Sequence, residues 1–427
     1  MTAMHARVPL PPLAPLAAAA LGALLAAGLA GCSLGHAGPG PGTGQGGVVP
    51  PAAGPAANTP QTPAAGSGPV LGGSAGAPVT GGASIAGPNT LPADFPADRP
   101  LAYVTNQARA AVSIIDPQSD SLLATVDLQR LGFSAKAKPH DTAVEPDGKY
   151  WYVTLIGDNL VVKLDRQNRV VGKAEMETPG LLALDPKSDL LWVTRTMSAV
   201  NPPARVGLIK RSDMSIEEVD VLIPRPHGMA VDPRGPWGYV SSMNAQQIAT
   251  VDARTGTVSL SQIPGDVMRM IVEFAISPDG TRLVATDQMN DEALVFDSSD
   301  PMHLEPLAVI HTEPWPWHAV YSPDGSEVWF GDQRGNSVTV LDTKTWTIKA
   351  VIKGNGLAEP HGIAITGDGK QVFVSNHNGQ GVYAPKAPRA AGTGTVVVID
   401  RATKRITKVI ETEADAQGLS IQGGRPW

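Results

Sequence analysis

The sequence predicts an all-β fold built from seven repeats. From about residue 101, short apolar runs alternate with turn sequences, and one aromatic-rich strand recurs seven times. Its copies are AYVTN (102–106), WYVTL (151–155), LWVTR (191–195), GYVSS (238–242), LVATD (283–287), VWFGD (328–332) and VFVSN (372–376). Successive copies are 40 to 49 residues apart. This spacing predicts one repeat domain over the last three quarters of the chain.

Turn sequences precede most of the aromatic strands, and branched apolar strands follow them. Turns such as EPDG, DPRG and SPDG combine a Pro that presets φ, an Asp that caps the turn and a Gly that accepts a positive φ. Six of the seven branched strands end in aspartate, namely Asp116, Asp165, Asp252, Asp297, Asp342 and Asp400. A carboxylate at a strand end accepts backbone N–H groups of the next turn. We therefore expect these aspartates to be structural and not catalytic.

The repeats resemble the YVTN family of β-propellers, whose tetrapeptide stands here as Tyr103-Val104-Thr105-Asn106. The resemblance covers about residues 101–424 and implies a seven-bladed β-propeller of four-stranded antiparallel blades around a channel. The last repeat ends in AQGLSIQGG (416–424), which matches PHGIAITGD of the repeat before it. We therefore expect the C-terminal strand to be the innermost strand of the first blade. Such mixing of the two termini closes the ring and hides its edges.

Residues 1–31 are predicted to be a bacterial lipoprotein signal peptide. The uncharged apolar run LAAAALGALLAAGLA (16–30) is shorter than the roughly 20 residues that a bilayer-spanning helix needs. It ends in LAGC, which resembles a lipobox, and Cys32 is the single cysteine of the chain. The resemblance implies cleavage before Cys32, lipidation of its sulfur and, with Ser33 next, sorting to an outer membrane. The alternative is an ordinary secretory signal that leaves a free cysteine.

Residues 32–94 are predicted to be the lipidated cysteine and a disordered tether. Between 33 and 93 the chain is mostly Gly, Pro, Ala, Ser and Thr and contains no Asp, Glu, Lys or Arg. Such a stretch cannot bury enough apolar area to offset its conformational entropy. We expect residues 95–427 to form the propeller domain, held in the cell envelope by the lipid anchor.

Charge and cysteine content exclude some classes of partner and cross-link. The formal net charge is −7 and the chain has no basic run, so no nucleic-acid partner is expected. One cysteine excludes an intrachain disulfide. The expected partners are the membrane, through Cys32, and a protein or small-molecule ligand at the propeller face. The propeller itself is expected to be a monomer.

One residue in each repeat occupies the second position of the predicted inner strand. These residues are His140, Gly180, His227, Val272, Trp317, His361 and Gln417, and His318 follows one place later. In a propeller, this position lies at one mouth of the channel. The loops after the aromatic strands are expected to open on the same face.

Four histidines of this set are candidate metal ligands, namely His140, His227, His318 and His361. Neutral imidazoles bind zinc, copper and iron, and metal sites need three or four converging donors. The chain has no H-x-H or H-x-x-x-H pair, so their convergence depends on the ring. The alternative is that each histidine is the variable residue of a Pro-x-Gly repeat, solvated and bonded to a neighbouring loop.

Five further residues are candidate ligand-binding residues of the same mouth, namely Arg269, Glu273, Trp317, Asn376 and His377. Arg269 and Glu273 belong to the segment that enters the fourth inner strand. His377 also fits a simple turn residue, and Trp317 fits either stacking on a flat ligand or packing between blades.

These observations leave three functional hypotheses. The preferred one is a non-catalytic lipoprotein that uses the channel mouth as a ligand- or protein-binding scaffold. The second is a cofactor protein that holds copper, iron, zinc or haem there, since relatives of the family include haem-d1 domains. No C-x-x-C-H is present, which excludes covalently attached c-type haem. A lactonase-like hydrolase, as in some seven-bladed relatives, is the third hypothesis.

Overall fold

The computed structural model of the protein describes residues 89–196, 204–386 and 392–424. These residues form seven four-stranded antiparallel sheets arranged as the blades of a β-propeller. The prediction of an all-β, seven-bladed fold is therefore confirmed. The signal peptide, Cys32 and most of the predicted tether lie outside the described residues. No helix among those residues is long and apolar enough to cross a membrane.

The blades follow one another along the chain. In order, the strands are β1 (Ala102–Asn106), β2 (Ala111–Asp116), β3 (Ser121–Asp127), β4 (Pro139–Val144), β5 (Tyr150–Leu155), β6 (Leu160–Asp165), β7 (Val170–Glu175), β8 (Pro179–Leu184), β9 (Leu190–Arg195), β10 (Arg205–Lys210), β11 (Ile216–Asp220), β12 (Pro226–Val231), β13 (Trp237–Ser242), β14 (Gln247–Asp252), β15 (Thr257–Gln262), β16 (Ile271–Ile276), β17 (Arg282–Asp287), β18 (Glu292–Asp297), β19 (Glu305–His311), β20 (Pro316–Tyr321), β21 (Glu327–Asp332), β22 (Ser337–Asp342), β23 (Thr347–Lys353), β24 (Pro360–Ile365), β25 (Gln371–Asn376), β26 (Thr393–Asp400), β27 (Arg405–Ala414) and β28 (Ala416–Ile421). Short 3-10 helices span Gln107–Arg109, Leu128–Leu131 and Ile156–Asp158.

The ring closes as the sequence predicts. Blade 1 has the order β28-β1-β2-β3, and blades 2 to 7 begin at β4, β8, β12, β16, β20 and β24. In blade 1, Tyr103 pairs with Ser420 and Ala102 pairs with Ile421. The inner strands neighbour one another around the channel. Because the closing sheet joins both ends of the domain, no inner edge is left open.

Aromatic side chains of the second strands pack between the blades. Tyr103, Trp192 and Trp329 have no exposed area. Alternate side chains of a strand face opposite sides of its sheet, so each blade packs on both neighbours. For example, the Tyr103 ring of blade 1 stacks on Trp151 of blade 2 with ring centres 4.8 Å apart.

The six strand-end aspartates act as turn caps. Each accepts a backbone N–H from a residue two or three positions later, and the donors are Gln118, Gln167, Arg254, Ser299, Lys344 and Thr403. The prediction that these carboxylates are structural is confirmed.

The segment that precedes β1 packs on the outside of blades 1 and 2. Leu91 and Phe95 contact the apolar core shared by these blades. The Asn89 side chain both donates to the Asp127 carbonyl and accepts the Asp127 N–H. Ordered packing thus starts a few residues before the predicted start of the propeller domain at residue 95.

Candidate binding site at the channel mouth

A β-bulge near the start of each inner strand directs side chains into the channel mouth. In blade 7, Pro360 pairs with Asn376 and Ile363 pairs with Val374, so His361 and Gly362 together oppose one residue. The same shift of register occurs in all seven blades. A bulge bends its strand and re-aims its side chains, and it is common beside functional sites.

Hydroxyl groups of the second strands hold these bulges in place. Thr194 accepts the Leu181 N–H of its own blade at 3.1 Å and donates to the His227 carbonyl of the next blade at 2.6 Å. Thr105 likewise donates to the His140 carbonyl at 2.9 Å. The Thr or Ser of the repeated strand therefore fixes the backbone of a mouth residue in the neighbouring blade.

Left-handed residues turn the chain into six of the seven inner strands. They are Lys138, Thr178, Arg225, Trp315, Glu359 and Asp415, with φ between 45° and 65°. A non-glycine residue pays roughly 1–2 kcal/mol for this conformation. A recurrent hydrogen bond offsets the strain, as where the Glu359 carbonyl accepts the His377 N–H at 3.1 Å. The same hydrogen bond holds His377 beside the entry to β24.

Five histidines from different parts of the ring lie together at the mouth. This histidine cluster consists of His140, His227, His318, His361 and His377. The His361 ring lies at its centre, with ring-centre distances of 4.6 Å to His318, 4.6 Å to His377 and 5.9 Å to His140. Trp317 joins His227 to the others, because its ring lies 6.5 Å from His227 and 5.1 Å from His361.

Four of the five imidazoles have an acceptor near Nδ1. The pairs are His140 with Gln107 Oε1 at 3.3 Å, His227 with the Val272 carbonyl at 2.9 Å, His318 with Glu273 Oε2 at 3.5 Å and His377 with Asp415 Oδ1 at 3.7 Å. Nε2 of these four rings, and Nδ1 of His361, are buried and have no hydrogen-bond partner among the described residues. The cluster thus contains a set of unused ring nitrogens.

Burial keeps the central imidazoles neutral. It lowers the pKa of His140 to about 3 and the pKa of His227 to about 4. Burial, with the charge of neighbouring imidazoles, also holds the pKa of His318 and His361 well below the usual range. A neutral imidazole has a free lone pair on one nitrogen, which is the form that binds metals.

Two buried carboxyl groups lie below the cluster in the channel. Asp141 and Glu273 line a cavity of about 100 Å³ together with His318. Asp141 accepts the Leu182 N–H at 2.9 Å, and Glu273 accepts the Met229 N–H at 3.1 Å. Burial raises the pKa of Asp141 to about 7 and the pKa of Glu273 to about 8.

The other candidate residues make structural contacts. Arg269 forms ion pairs with Asp287 at 3.0 Å and Glu292 at 2.5 Å. The Asn376 side chain accepts the Ala358 N–H at 3.1 Å and also donates to a carbonyl of its own strand. These contacts stabilise the loops that surround the mouth. By contrast, His377 belongs to the histidine cluster, and Glu273 and Trp317 contact it directly.

Sequence reasoning missed the residues that orient the imidazoles. Gln107, Asp415 and the Val272 carbonyl were not among the candidates, and neither was Asp141. Asp141 follows directly after His140 in the repeat, which is a local signal that could have indicated it. In this conformation, no three His, Cys, Asp or Glu side chains of the described chain converge closely enough to hold one metal ion.

No protein-family model matches the chain. It is 21% identical over 216 residues to the uncharacterized protein YncE of Salmonella typhi, and 20% identical over 216 residues to that of Salmonella typhimurium. Each alignment covers 49% of this chain and 60% of the relative, so the chain spans less than two thirds of these relatives. Together with the seven blades, this likeness shows a YncE-like propeller protein and confirms the resemblance drawn from the repeats.

Solved structures show the same fold. A functionally unknown protein from Desulfotomaculum acetoxidans DSM 771 matches with a TM-score of 0.59 and 16% identity, over 75% of this chain and 98% of the other. The dihydro-heme d1 dehydrogenase NirN in complex with DHE matches with a TM-score of 0.52 and 15% identity, over 80% of each chain. At these identities the likeness establishes the propeller architecture.

Proposed function

We propose that this protein is an extracytoplasmic ligand-binding propeller whose ligand is a transition-metal ion, held by imidazole nitrogens of the histidine cluster. One observation carries the proposal: five buried imidazoles at the same place in the fold each keep a ring nitrogen that has no partner among the residues the structure describes. A buried polar atom without a hydrogen bond costs about 1–3 kcal/mol. Such atoms are rare in native proteins and call for an explanation, which a bound ion supplies.

The surroundings of the imidazoles support the same conclusion. Histidines that bind metals commonly give their other ring N–H to a carboxylate or a backbone carbonyl, which fixes the tautomer and the ring orientation. Glu273 and Asp415 lie beside Nδ1 of His318 and His377, and the Val272 carbonyl lies beside Nδ1 of His227. Where Nδ1 carries the ring proton, Nε2 is the nitrogen available to a metal.

The spacing around His361 suits an ion that several rings share. The rings of His318 and His377 each lie 4.6 Å from the His361 ring. A metal lies about 2 Å from a coordinating imidazole nitrogen. A shared ion therefore requires these side chains to rotate, because in this conformation no three such donors of the described residues converge.

A haem group is the alternative cofactor at this position. The NirN structure that shares the fold contains DHE, according to its description. The channel cavity that His318 lines has a volume of about 100 Å³, whereas pockets for drug-sized ligands and cofactors have volumes of about 300–1,000 Å³. The histidine rings are also buried, so the site fits an ion better than a planar macrocycle.

The experiment measures metal in the full chain, purified with an affinity tag that contains no histidine. Elemental mass spectrometry and an absorption spectrum are recorded for the wild type, for the triple variant H318Q/H361Q/H377Q and for the control H303Q/H311Q. The control histidines are exposed, with 75% and 84% of their side-chain area accessible. We expect about one ion per chain in the wild type and the control, and loss of the ion in the triple variant.

Two results would overturn the proposal. One is equal metal content in the wild type and the triple variant, and the other is a folded wild type that binds no added transition metal. A haem absorption band that disappears in the triple variant would replace the ion with haem at the same histidines.

We also propose that the protein is lipid-anchored in the cell envelope, in an outer membrane where the cell has one. The support is the LAGC sequence and the fact that Cys32 is the single thiol available for acylation. In cells given a radioactive fatty acid, we expect label in the wild type and none in C32S. Equal labelling of the two proteins, or a wild type without label, would contradict the anchor and leave the metal site unaffected.

A further inference from the structure

We infer that the bound ion is copper(I), and that methionine thioethers beside the histidine cluster supply sulfur donors for it. The inference rests on the proposed function, because it names the ion that the same site would take. It starts from an uneven distribution of methionine. Of the 11 methionines in the chain, six belong to blades 4 and 5 or their loops, namely Met229, Met243, Met268, Met270, Met289 and Met302.

Two of these methionines pack with Trp317, the residue that joins His227 to the rest of the histidine cluster. Met243 is buried, with 2% of its area exposed, and packs with Val272 and Trp317, while Met270 packs against this group. The Val272 carbonyl is the partner of His227 Nδ1 at 2.9 Å. The two methionines therefore pack on Val272 and Trp317, and both of these residues also contact imidazoles of the cluster.

Two more methionines lie on loops around the mouth. Met268 is 62% exposed and Met289 is 40% exposed. The Asn290 side chain donates to the Met268 carbonyl at 2.9 Å, which ties the two loops together. Methionine usually fills gaps inside a core. Here, two exposed thioethers lie on the loops next to β16 and β17, and Met243 and Met270 pack with Val272 and Trp317.

The metal-binding atoms available at the cluster are imidazole nitrogens and thioether sulfurs, which bind soft metal ions better than hard cations. The carboxylates of Glu273 and Asp415 face imidazole Nδ1 atoms, so the unused groups at the cluster are ring nitrogens and thioether sulfurs. Thioether ligands select copper(I), whereas hard cations prefer carboxylate and carbonyl oxygen.

The geometry also favours an ion with a low coordination number. Protein zinc sites use a tetrahedral set of three or four nitrogen, sulfur or oxygen ligands. No three nitrogen, thiol or carboxylate donors of the described residues converge in this way. Copper(I) is satisfied by fewer ligands and accepts methionine sulfur to complete its shell.

The test compares copper(I) and zinc affinities of the full chain, measured without oxygen by competition with chromogenic chelators. The proteins are the wild type, M243L/M270L and the control M176L/M214L, whose methionines are buried between blades 2 and 3. Leu conserves the volume of Met, so the fold is expected to persist. We expect copper(I) affinity to fall about 10-fold in M243L/M270L only, and zinc affinity to stay unchanged in every variant.

Three outcomes of this test distinguish the copper(I) inference from the proposed metal site. Tighter binding of zinc than of copper(I), or an unchanged copper(I) affinity in folded M243L/M270L, would overturn the inference and leave the metal site standing. In the second case the thioethers only pack on Trp317. A wild type that binds neither ion would refute the proposed function itself.

X-ray absorption of the copper(I)-loaded C32S variant gives a readout that needs no change at a methionine. We expect a sulfur neighbour of copper in the first shell. In a C32S background that sulfur comes from methionine, because the chain has one cysteine. A first shell of nitrogen and oxygen alone would contradict the inference.

Discussion

Two buried polar clusters of the propeller differ in how their polar atoms are satisfied. At the mouth, the histidine cluster keeps five ring nitrogens without partners. The glutamate cluster, at the other end of β21 in blade 6, is centred on Glu327. Its carboxylate accepts from Arg401 Nε at 2.9 Å, Lys404 Nζ at 2.7 Å, Lys349 Nζ at 2.8 Å and Trp329 Nε1 at 3.0 Å. Among the described residues, the Glu327 carboxylate has several hydrogen-bond partners, whereas the five ring nitrogens of the histidine cluster have none.

The pKa shifts express the same difference. Burial alone would raise the pKa of Glu327, but hydrogen bonds from Lys349, Lys404 and Arg401 lower it to about 2. Burial lowers the pKa of His361 well below its usual range, and the neighbouring imidazoles reinforce the effect. Removal of one member of a buried charged network is strongly destabilising, whereas replacement of a buried polar group that has no partner costs little. We therefore expect mutations in the two clusters to have opposite consequences.

The largest expected loss of stability comes from E327Q, which disrupts the glutamate cluster. E327Q leaves three cationic side chains beside a neutral amide, and removal of one partner from a buried ionic network costs about 3 kcal/mol of unfolding free energy. Urea denaturation of the wild type and E327Q measures the loss. The control is E305Q, which changes an exposed glutamate at the start of β19. A loss in E327Q no greater than in E305Q would contradict the structural role of Glu327.

A second prediction concerns the hydroxyls that hold the mouth. T194V keeps the shape of the side chain but removes the group that accepts the Leu181 N–H and donates to the His227 carbonyl. Both backbone groups are then buried without that partner, and we expect a loss of about 2 kcal/mol in unfolding free energy. The control T407V changes an exposed threonine on outer strand β27, whose hydroxyl donates to the Val398 carbonyl at 3.2 Å. Equal losses in both variants would show that the mouth hydroxyl has no special role.

The repeats explain how much of this could be predicted. The position of His361 at the second residue of an inner strand follows from a pattern that recurs along the chain, and so do the strand-end caps such as Asp116. Such patterns are local, because each repeat contains its own turn, strand and cap. The closing strand β28 was predictable for the same reason, since its sequence repeats that of β24.

The sequence could not predict the side-chain contacts between blades. His140 and His361 belong to blades 2 and 7, and no local spacing shows that their rings approach to 5.9 Å. His377 fitted a turn residue, yet it stacks on His361, because the carbonyl of a left-handed residue holds its backbone. The acceptors that orient the rings, such as Asp415, come from other blades. Contacts of this kind depend on ring closure and bulge geometry, which sequence patterns do not encode directly.

A third prediction concerns Asp332, at the mouth end of β21, and the dependence of stability on pH. Ser337 and Thr339 donate to Asp332 Oδ2, while Oδ1 is buried without a partner. Burial raises the pKa of Asp332 from 3.8 to about 8, and the nearby Glu313 adds to the shift while Lys353 opposes it. Between these pH values, the folded protein holds a proton that the unfolded protein has lost. The protonated carboxyl group of Asp332 suits this buried site, and its ionisation favours unfolding. The stabilisation is fully present below pH 3.8 and is lost as the pH rises through about 8.

D332N should remove this pH dependence. We expect the variant to gain unfolding free energy over the wild type at pH 8 and little at pH 4, because the amide has no proton to lose. Denaturation at both pH values measures the difference. A gain that is the same at pH 4 and pH 8 would show that Asp332 does not titrate in this range.

The smallest expected change in stability comes from the histidine cluster itself. In metal-free protein, H361L replaces a buried imidazole whose Nδ1 has no partner with an apolar side chain. Replacing an unsatisfied polar group by an apolar one is nearly neutral or stabilising, so we expect a change within about 0.5 kcal/mol, or a gain. With metal added, the wild type should become more stable and H361L should not, because only a protein that binds the ion is stabilised by it. A large loss of stability in metal-free H361L would place this histidine, like Glu327, among the groups that hold the fold together.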